Sequence, residues 1–298
     1  MNNSLLLQTG RSSFLSQHWS ASPGLVMLGR FSVPDTPMSH DADLERRFGG
    51  IARLYGADAL SRFQQAHVCV VGVGGVGSWA VEALARSAIG RLTLIDLDNI
   101  AESNTNRQLP ALDPHYGMAK VTALAERVRA INPACLVQEI EDFVNEDNLD
   151  AMLGQGFDFI IDCIDNLRVK TAMAAWCVRQ RQPFIVSGGA GGQMDPTKIK
   201  LADLGEVTYD PLLSKLRYNL RRFHGFPRDA GKKLQVPCVF STEQLVYPDT
   251  QSCDADSSRG PQGLSCAGFG AGMVVTASFG LVAVSHALKQ LAKPAKKR

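Results

Sequence analysis

Several short stretches of this sequence carry groups suited to holding phosphates. Gly72-Val-Gly74-Gly75-Val-Gly77 follows directly on an apolar run. Such a loop lets the backbone turn sharply and lets an anion come close. A helix opening from it aims the free N–H groups of its first turn at that anion. Asp96 stands about 20 residues further on, where a unit of this kind holds a ribose hydroxyl. Ser103-Asn104-Thr-Asn106-Arg107-Gln108 supplies hydroxyl, amide and guanidinium donors for a triphosphate, and the fork of Arg107 can grip two oxygens at once. Lys120, in Gly117-Met-Ala-Lys120, opens a helix and opposes its dipole. Either an anion lies beside it or it is an ordinary exposed lysine. Asp162-Cys-Ile-Asp165-Asn166 closes another apolar run. Carboxylates there suit magnesium, which takes one or two of them plus substrate phosphates. Asp165 is the expected ligand, because Asp162 alternates to the sheet side.

These residues need a scaffold that brings loop ends together. Val68 to Val71 is β-branched and apolar, the composition of a fully buried parallel strand. Ser78 to Ser87 reads as a helix with Ala80, Val81, Ala83, Leu84 and Ala85 toward the sheet. Further strands are expected at Leu92 to Ile95, Leu136 to Ile140, Phe157 to Ile161 and Pro183 to Ser187. Further helices are expected from Gly117–Lys120 to Ile131, at Glu146 to Leu153 and at Val169 to Arg179. Alternation of this kind means α/β: a doubly wound, Rossmann-like, mostly parallel sheet with helices on both faces and a smaller C-terminal extension. Gly188-Gly-Ala-Gly-Gly192 is either a second close-approach site or a flexible bend. Asp41 to Ala66 reads as two short helices or a helix and a turn. Its arginines form a solvated face or a flap over a phosphate.

The chain has 298 residues, 45% hydrophobic and 20% charged, an ordinary globular composition. A net charge of only +2 excludes a globally basic nucleic-acid binder. Seven cysteines without a C-x-x-C pair argue for reduced thiols in the cytoplasm and against structural zinc. Four segments are expected: a disordered leader over 1–37, with Met38 a plausible start; a nucleotide-binding domain over 38–203; a basic, substrate-facing segment over 204–259; and a buried helix with a basic tail over 260–298. Residues 204–237 hold seven Lys/Arg against three Asp/Glu. Asp210-Pro211 starts a helix there, Leu212 to Arg222, with Leu212, Leu213, Leu216 and Leu220 on one face. Lys215, Arg217, Arg221 and Arg222 line the rest, as a polyanion site or a solvated face. Tyr218, Phe223, His224 and Phe226 are stacking surfaces or core. Gly260 to Leu288 lacks Asp, Glu, Lys and Arg. Its glycines and polar residues favour a buried helix, Gly272 to Leu291, over a membrane span.

Together, Gly72-x-Gly-Gly-x-Gly77, Asp96-x-Asp98, Ser103 to Gln108, Gly117-x-x-Lys120 and Asp165-Asn166 resemble the signature of the ubiquitin-activating-enzyme-like ATP-binding family, the ThiF/MoeB group. The resemblance implies adenylation of a carboxylate by ATP, with Mg²⁺, in a homodimer. It implies Gly75 along the phosphates with Gly72, Gly74 and Gly77 around it, and Asp96 on the ribose. Asn106 and Lys120 would touch phosphate, Arg107 the leaving pyrophosphate, and Asp165 the metal; Ser103, Asn104 and Asn166 complete the ATP set. Arg47-Phe-Gly-Gly-x-Ala-Arg-Leu-Tyr-Gly56, Ser187 to Pro196 and Cys238-Val-Phe-Ser-Thr-Glu243 are most similar to a tRNA-modifying branch. Members of that branch cyclise a threonylcarbamoyl-modified adenosine with loss of water. Two departures stand out: the zinc-binding C-x-x-C pairs of the wider group are absent, and Gly50 replaces an arginine of its N-terminal flap, for which Arg47 or Arg53 would have to substitute. The competing expectation is an adenylating enzyme for a ubiquitin-like sulfur carrier, with Cys238 as a thiol and a cysteine-desulfurase system as partner. An NAD-dependent dehydrogenase or a nucleotide-sensing scaffold are further alternatives.

Overall fold

The computed structural model describes residues 42–229, 231–247 and 269–294. The expected leader over 1–37, Met38 and the end of the basic tail lie outside the described residues, as does much of the uncharged stretch before Phe269.

Strand β1 (His67–Val71) is buried along its whole length, as its unbroken apolar run requires. It pairs in parallel with β2 (Arg91–Ile95) on one side and β4 (Phe159–Asp162) on the other. Strand β3 (Leu136–Ile140) pairs outside β2, and β5 (Phe184–Ser187) outside β4, both parallel. Two strands absent from the sequence expectation complete the sheet. β7 (Pro237–Ser241) pairs in parallel with β5, and β6 (Ile199–Asp203) pairs antiparallel to β7 at the edge. The order β3-β2-β1-β4-β5-β7-β6 reverses between β1 and β4, the place where doubly wound sheets bind ligands. The expected boundary at 203/204 falls between β6 and the chain leading to β7, which share this one sheet.

Helices cover both faces. One core packs α2 (Ala57–Gln65), α3 (Gly77–Arg86), α4 (Lys120–Ile131) and α8 (Met273–Leu291) on the sheet; the other packs α5 (Leu149–Leu153), α6 (Leu167–Gln180) and α7 (Pro211–Phe223). The helix expected from Glu146 is only α5, because Glu146 is an ion-pair partner of Arg168 in the preceding turn. The N-terminal stretch is two helices, α1 (Leu44–Tyr55) and α2.

α8 has the length and hydropathy of a membrane-crossing helix. It is nonetheless a core helix: Val275, Phe279, Ala283, Val284 and Ala287 are buried. At Gly280 an added Cβ would lie 2.5 Å from the Val76 carbonyl oxygen, so the crossing with α3 has no room for a larger residue.

Under the sheet's carboxyl edge sits a buried ion pair. Lys170 of α6 is wholly buried and donates to Asp162 Oδ1 at 2.9 Å and to the Ser187 carbonyl at 3.1 Å. It ties the ends of β4 and β5 together. Burial raises the Asp162 carboxyl above the usual carboxylate range, and Lys170 opposes the rise. Lys170→Met leaves that carboxylate unpaired and should destabilise the fold by about 3–5 kcal/mol near neutral pH. A raised folded-state pKa means protonation favours the folded chain, so the deficit should shrink as pH falls. Urea unfolding at two pH values checks both points.

Candidate active site

The register places the candidate residues. Val71 faces Ile95 across one ladder and Asp162 across the other. The glycine loop, Asp96 and the Asp162–Asn166 turn therefore leave neighbouring strand ends at one edge.

Gly72 has φ +79°, and an added Cβ would lie 2.8 Å from Ile164 Cγ2. The glycine loop thus rests directly on the turn after β4. Gly77 opens α3, and a Cβ there would lie 1.9 Å from the Gly72 carbonyl oxygen. Asp96 is nearly buried and fastens the loop: Oδ2 accepts from Val73 N–H at 2.8 Å and Oδ1 from Asp98 N–H at 2.9 Å. Burial raises its carboxyl, while Lys120 and these two N–H groups pull it back.

Lys120 is buried at the start of α4, so the exposed-lysine alternative does not hold. Its anion is carboxylate: Nζ lies 2.8 Å from Asp98 Oδ2 and 3.8 Å from Asp96 Oδ1. Lysine and two acids form one cluster at the carboxyl end of β2.

Arg107 lies across the glycine loop, its Cγ 3.4 Å from where a Cβ on Gly75 would stand. Its guanidinium donates to the Ser103 carbonyl at 2.8 Å and to Asn106 Oδ1 at 2.9 Å, and its own carbonyl accepts from Trp79 Nε1. Asn104 Oδ1 accepts from Ala101 N–H. Asn106 is clamped by the start of α8: its side-chain amide donates to the Ala271 carbonyl at 2.6 Å, and its carbonyl accepts from Met273 N–H. Thr276 stands within 3.6 Å of the Gly75 Cβ position. An apolar cavity of about 490 Å³, lined by Gln193, Met194, Val246, Tyr247 and Val274 among others, opens beside this clamp.

Asp165 is exposed in the turn after β4, whereas Asp162 is 1% exposed and committed to Lys170. Asp162 Oδ1 also accepts from Ile164 N–H, which holds the turn. Asn166 caps α6, accepting from Arg168 and Val169 N–H. Among the described residues no cluster of three or more His, Cys, Asp or Glu is suited to hold a metal. Magnesium brought by a nucleotide needs only one or two carboxylates, and Asp165 at the strand end fits that requirement.

Other expectations resolve elsewhere. Arg47 donates to the Ala130 and Ile131 carbonyls at the far end of α4. At 1.5 Å per residue that is about 17 Å from Lys120, so within one chain Arg47 does not reach this edge. Gly188 approaches Asp210, whose Oδ2 accepts from Gly189 N–H and whose Oδ1 caps α7. Cys238 is buried in β7, its thiol pushed well above the usual range by burial. Cys163, beside the glycine loop, is pushed up to about 12 by burial. Neither is placed as a thiolate. Arg217, Arg221 and Arg222 share a cleft on α7 with Arg228, which the sequence reading missed; Lys215 does not line it.

An ATP-type loop at a switch point, with a lysine–carboxylate cluster and an arginine across the glycines, defines a nucleotide-binding α/β protein. The chain belongs to the ThiF family, which its residues 48–298 match. It is 51% identical over 250 residues to the tRNA threonylcarbamoyladenosine dehydratase of Escherichia coli K12, covering 83% of this chain and 93% of that protein. Its identity to the Haemophilus influenzae protein of the same name is 47% over 260 residues, covering 87% and 98%. The crystal structure of E. coli tRNA N6-threonylcarbamoyladenosine dehydratase, TcdA, in complex with ATP superposes with a TM-score of 0.75 at 50% identity, covering 83% of this chain and 94% of that one.

Gly77→Ala drives a methyl into the Gly72 carbonyl and should open the loop. The expected result is a fold weakened by roughly 1–3 kcal/mol and ATP affinity reduced at least tenfold, read by thermal melting and calorimetric titration.

Proposed function

We propose that this chain catalyses the ATP-dependent dehydration of threonylcarbamoyladenosine in tRNA, next to the anticodon, giving the cyclic form. The observation that carries the reading is the match over nearly the whole length of a dehydratase solved with ATP, joined to a site at the switch point built from matching motifs.

The threonyl carboxylate attacks the α-phosphate of ATP, and pyrophosphate leaves. The α-phosphate then carries the acyl group as an acyl-adenylate. An atom of the same threonylcarbamoyl group attacks the acyl carbon, loses its proton, and closes the ring. AMP departs with one carboxylate oxygen, so the nucleoside has lost the elements of water. The ring closure is intramolecular, and the threonylcarbamoyl group brings its own nucleophile. No enzyme thiol is required, in keeping with the raised thiol pKa of Cys163 and of the buried Cys238. The sulfur-carrier reading is not favoured, because the relatives matched over nearly their whole length are named dehydratases.

In this reading the loop N–H groups after β1 line the phosphates. Gly72, Gly74, Gly75 and Gly77 let them come close, and Asp96 takes the ribose. Arg107 lies over Gly75 and faces the leaving pyrophosphate, with Asn106 holding its guanidinium. Lys120 exchanges its Asp98 contact for a phosphate oxygen. Ser103, Asn104 and Asn166 keep the donor loop and the α6 turn in place. Asp165 would hold Mg²⁺ together with the phosphates, and the ion would supply charge neutralisation for the leaving group. The same resemblance implies a homodimer; the cysteine usage supports a cytoplasmic setting beside tRNA and ATP, and a cysteine-desulfurase system is the further partner proposed.

Incubation with ATP and threonylcarbamoyladenosine-bearing tRNA, followed by nucleoside mass spectrometry, should show the modified nucleoside lighter by one water and one AMP per product. An unchanged nucleoside overturns the reading. Arg107→Ala should abolish ATP–pyrophosphate exchange while the melting temperature stays within the range of surface variants. Full exchange by that variant removes Arg107 from the phosphate grip.

A further inference from the structure

The basic cleft on α7 serves no step at the ATP edge. It is lined by Ser214, Arg217, Tyr218, Arg221, Arg222 and Arg228, with a volume of about 600 Å³ and, among the described residues, no carboxylate in its wall. Four guanidinium groups held together repel one another unless a polyanion or counter-ions neutralise them. We propose that this cleft is where the protein holds the phosphodiester backbone of its RNA substrate, at a distance from the reacting nucleotide. This rests on the tRNA reading above and adds to it the surface that binds.

Three of the four guanidinium groups are held in place by the chain itself. Arg217 donates to the Leu204 and Val207 carbonyls at 3.0 and 2.9 Å. Arg221 Nε donates to the Pro227 carbonyl at 3.0 Å, and Arg222 to the Tyr218 hydroxyl. Each of these bonds uses a minority of the five N–H donors a guanidinium carries, so the rest stay available for phosphate oxygens. Anchoring to neutral carbonyls also means the charge is not cancelled. Arg carboxylate pairs elsewhere, such as Arg127 with Glu82, do cancel it.

Aromatic surface accompanies the charge. Tyr218 and Phe223 are 55% and 65% exposed. The Arg222 guanidinium lies 5.7 Å from the Tyr218 ring centre and 5.3 Å from that of Phe223. A stacked, solvent-facing layer of this kind suits an unpaired base, and fits RNA better than an acidic protein. The helix axis ties the cleft to the site. Asp210 caps α7 and binds Gly189 N–H at the carboxyl end of β5, on the edge that carries the nucleotide loop. Arg217 and Arg222 then lie about 9 and 17 Å along the helix from Pro211. An RNA arm anchored there extends toward that edge.

The test uses the full chain and the double variant Arg221→Gln/Arg222→Gln, with Arg228→Gln added separately. Binding of unmodified tRNA is measured against salt concentration, together with ATP affinity and melting temperature. The expected result is weaker tRNA binding, with the slope of log affinity against log salt reduced by about 1 per arginine removed. ATP affinity and melting temperature should stay at wild-type values. Arg222→Lys should recover part of the binding. An unaltered affinity and slope in the double variant overturns the cleft while leaving the tRNA reading intact. Failure of the wild-type protein to bind tRNA overturns both. Displacement of polyglutamate, but not tRNA, by the substitutions would overturn RNA in favour of an acidic protein.

Discussion

Parallel pairing of β1 with two neighbours at once is the constraint on which the site depends. Val71 is the last paired residue of its strand, and Ile95 and Asp162 end the strands on either side. Three chain segments must therefore leave the sheet at the same height, side by side. Gly72 turns against Ile164 because no side chain fits between them. Asp96 can then reach back to the Val73 N–H. A slip of one residue in either ladder would carry Asp162 to the opposite face of the sheet and away from Lys170, since side chains alternate across a strand. Lys170, fixed to Asp162 and to the end of β5, opposes that slip by making it bury an unpaired charge.

Charge is arranged around this edge in two different states. Lys120 is neutralised within the chain by Asp96 and Asp98. Such a lysine can be buried without strain, and a phosphate has to compete with a carboxylate for it. Among the described residues the Arg107 guanidinium donates to neutral oxygens, those of Ser103 and Asn106, which leave its charge uncancelled. The loop that carries it is fixed from behind by Trp79 and from the front by the start of α8. A chain segment more than a hundred and fifty residues downstream of Asn106 thus sets the position of the arginine that faces the glycines.

Much of this was legible in the sequence. β1 announces itself as an apolar run and β4 as one broken only by Asp158, which the structure leaves just before the strand, and the alternation of strand and helix implies a doubly wound sheet. Asp165 rather than Asp162 as the outward acid followed from the pleat. The missed elements have physical reasons. β6 is an edge strand with Lys200 and Leu201 both exposed, so it has no buried face to betray it. β7 begins at a proline and ends at a serine, so only Cys238, Val239 and Phe240 mark it as apolar. Glu146 reads as a helix former but serves Arg168. Lys170 looks like any helical lysine; only the fold reveals that its charge is wholly buried. Arg228 sits in a loop beyond α7, and its return to the arginine cleft depends on a turn that Arg221 closes through the Pro227 carbonyl.

The two positive regions answer different physical demands. A triphosphate is compact and must be held to fractions of an ångström for in-line displacement, so its ligands stand on rigid strand ends with backbone N–H groups among them. An RNA arm is long, hydrated and bound through many weakly directional contacts, a demand that an exposed helix face such as that of α7 suits. Asp210 joins the two, for one carboxylate both starts α7 and fixes Gly189 at the sheet edge. Its burial raises its carboxyl, and the N–H groups of Leu213 and Gly189 pull it back toward the ionised form. Any movement of α7 under a bound RNA would have to pass through that buried group. The helix that carries the arginines is thereby held in fixed relation to the edge where ATP would react.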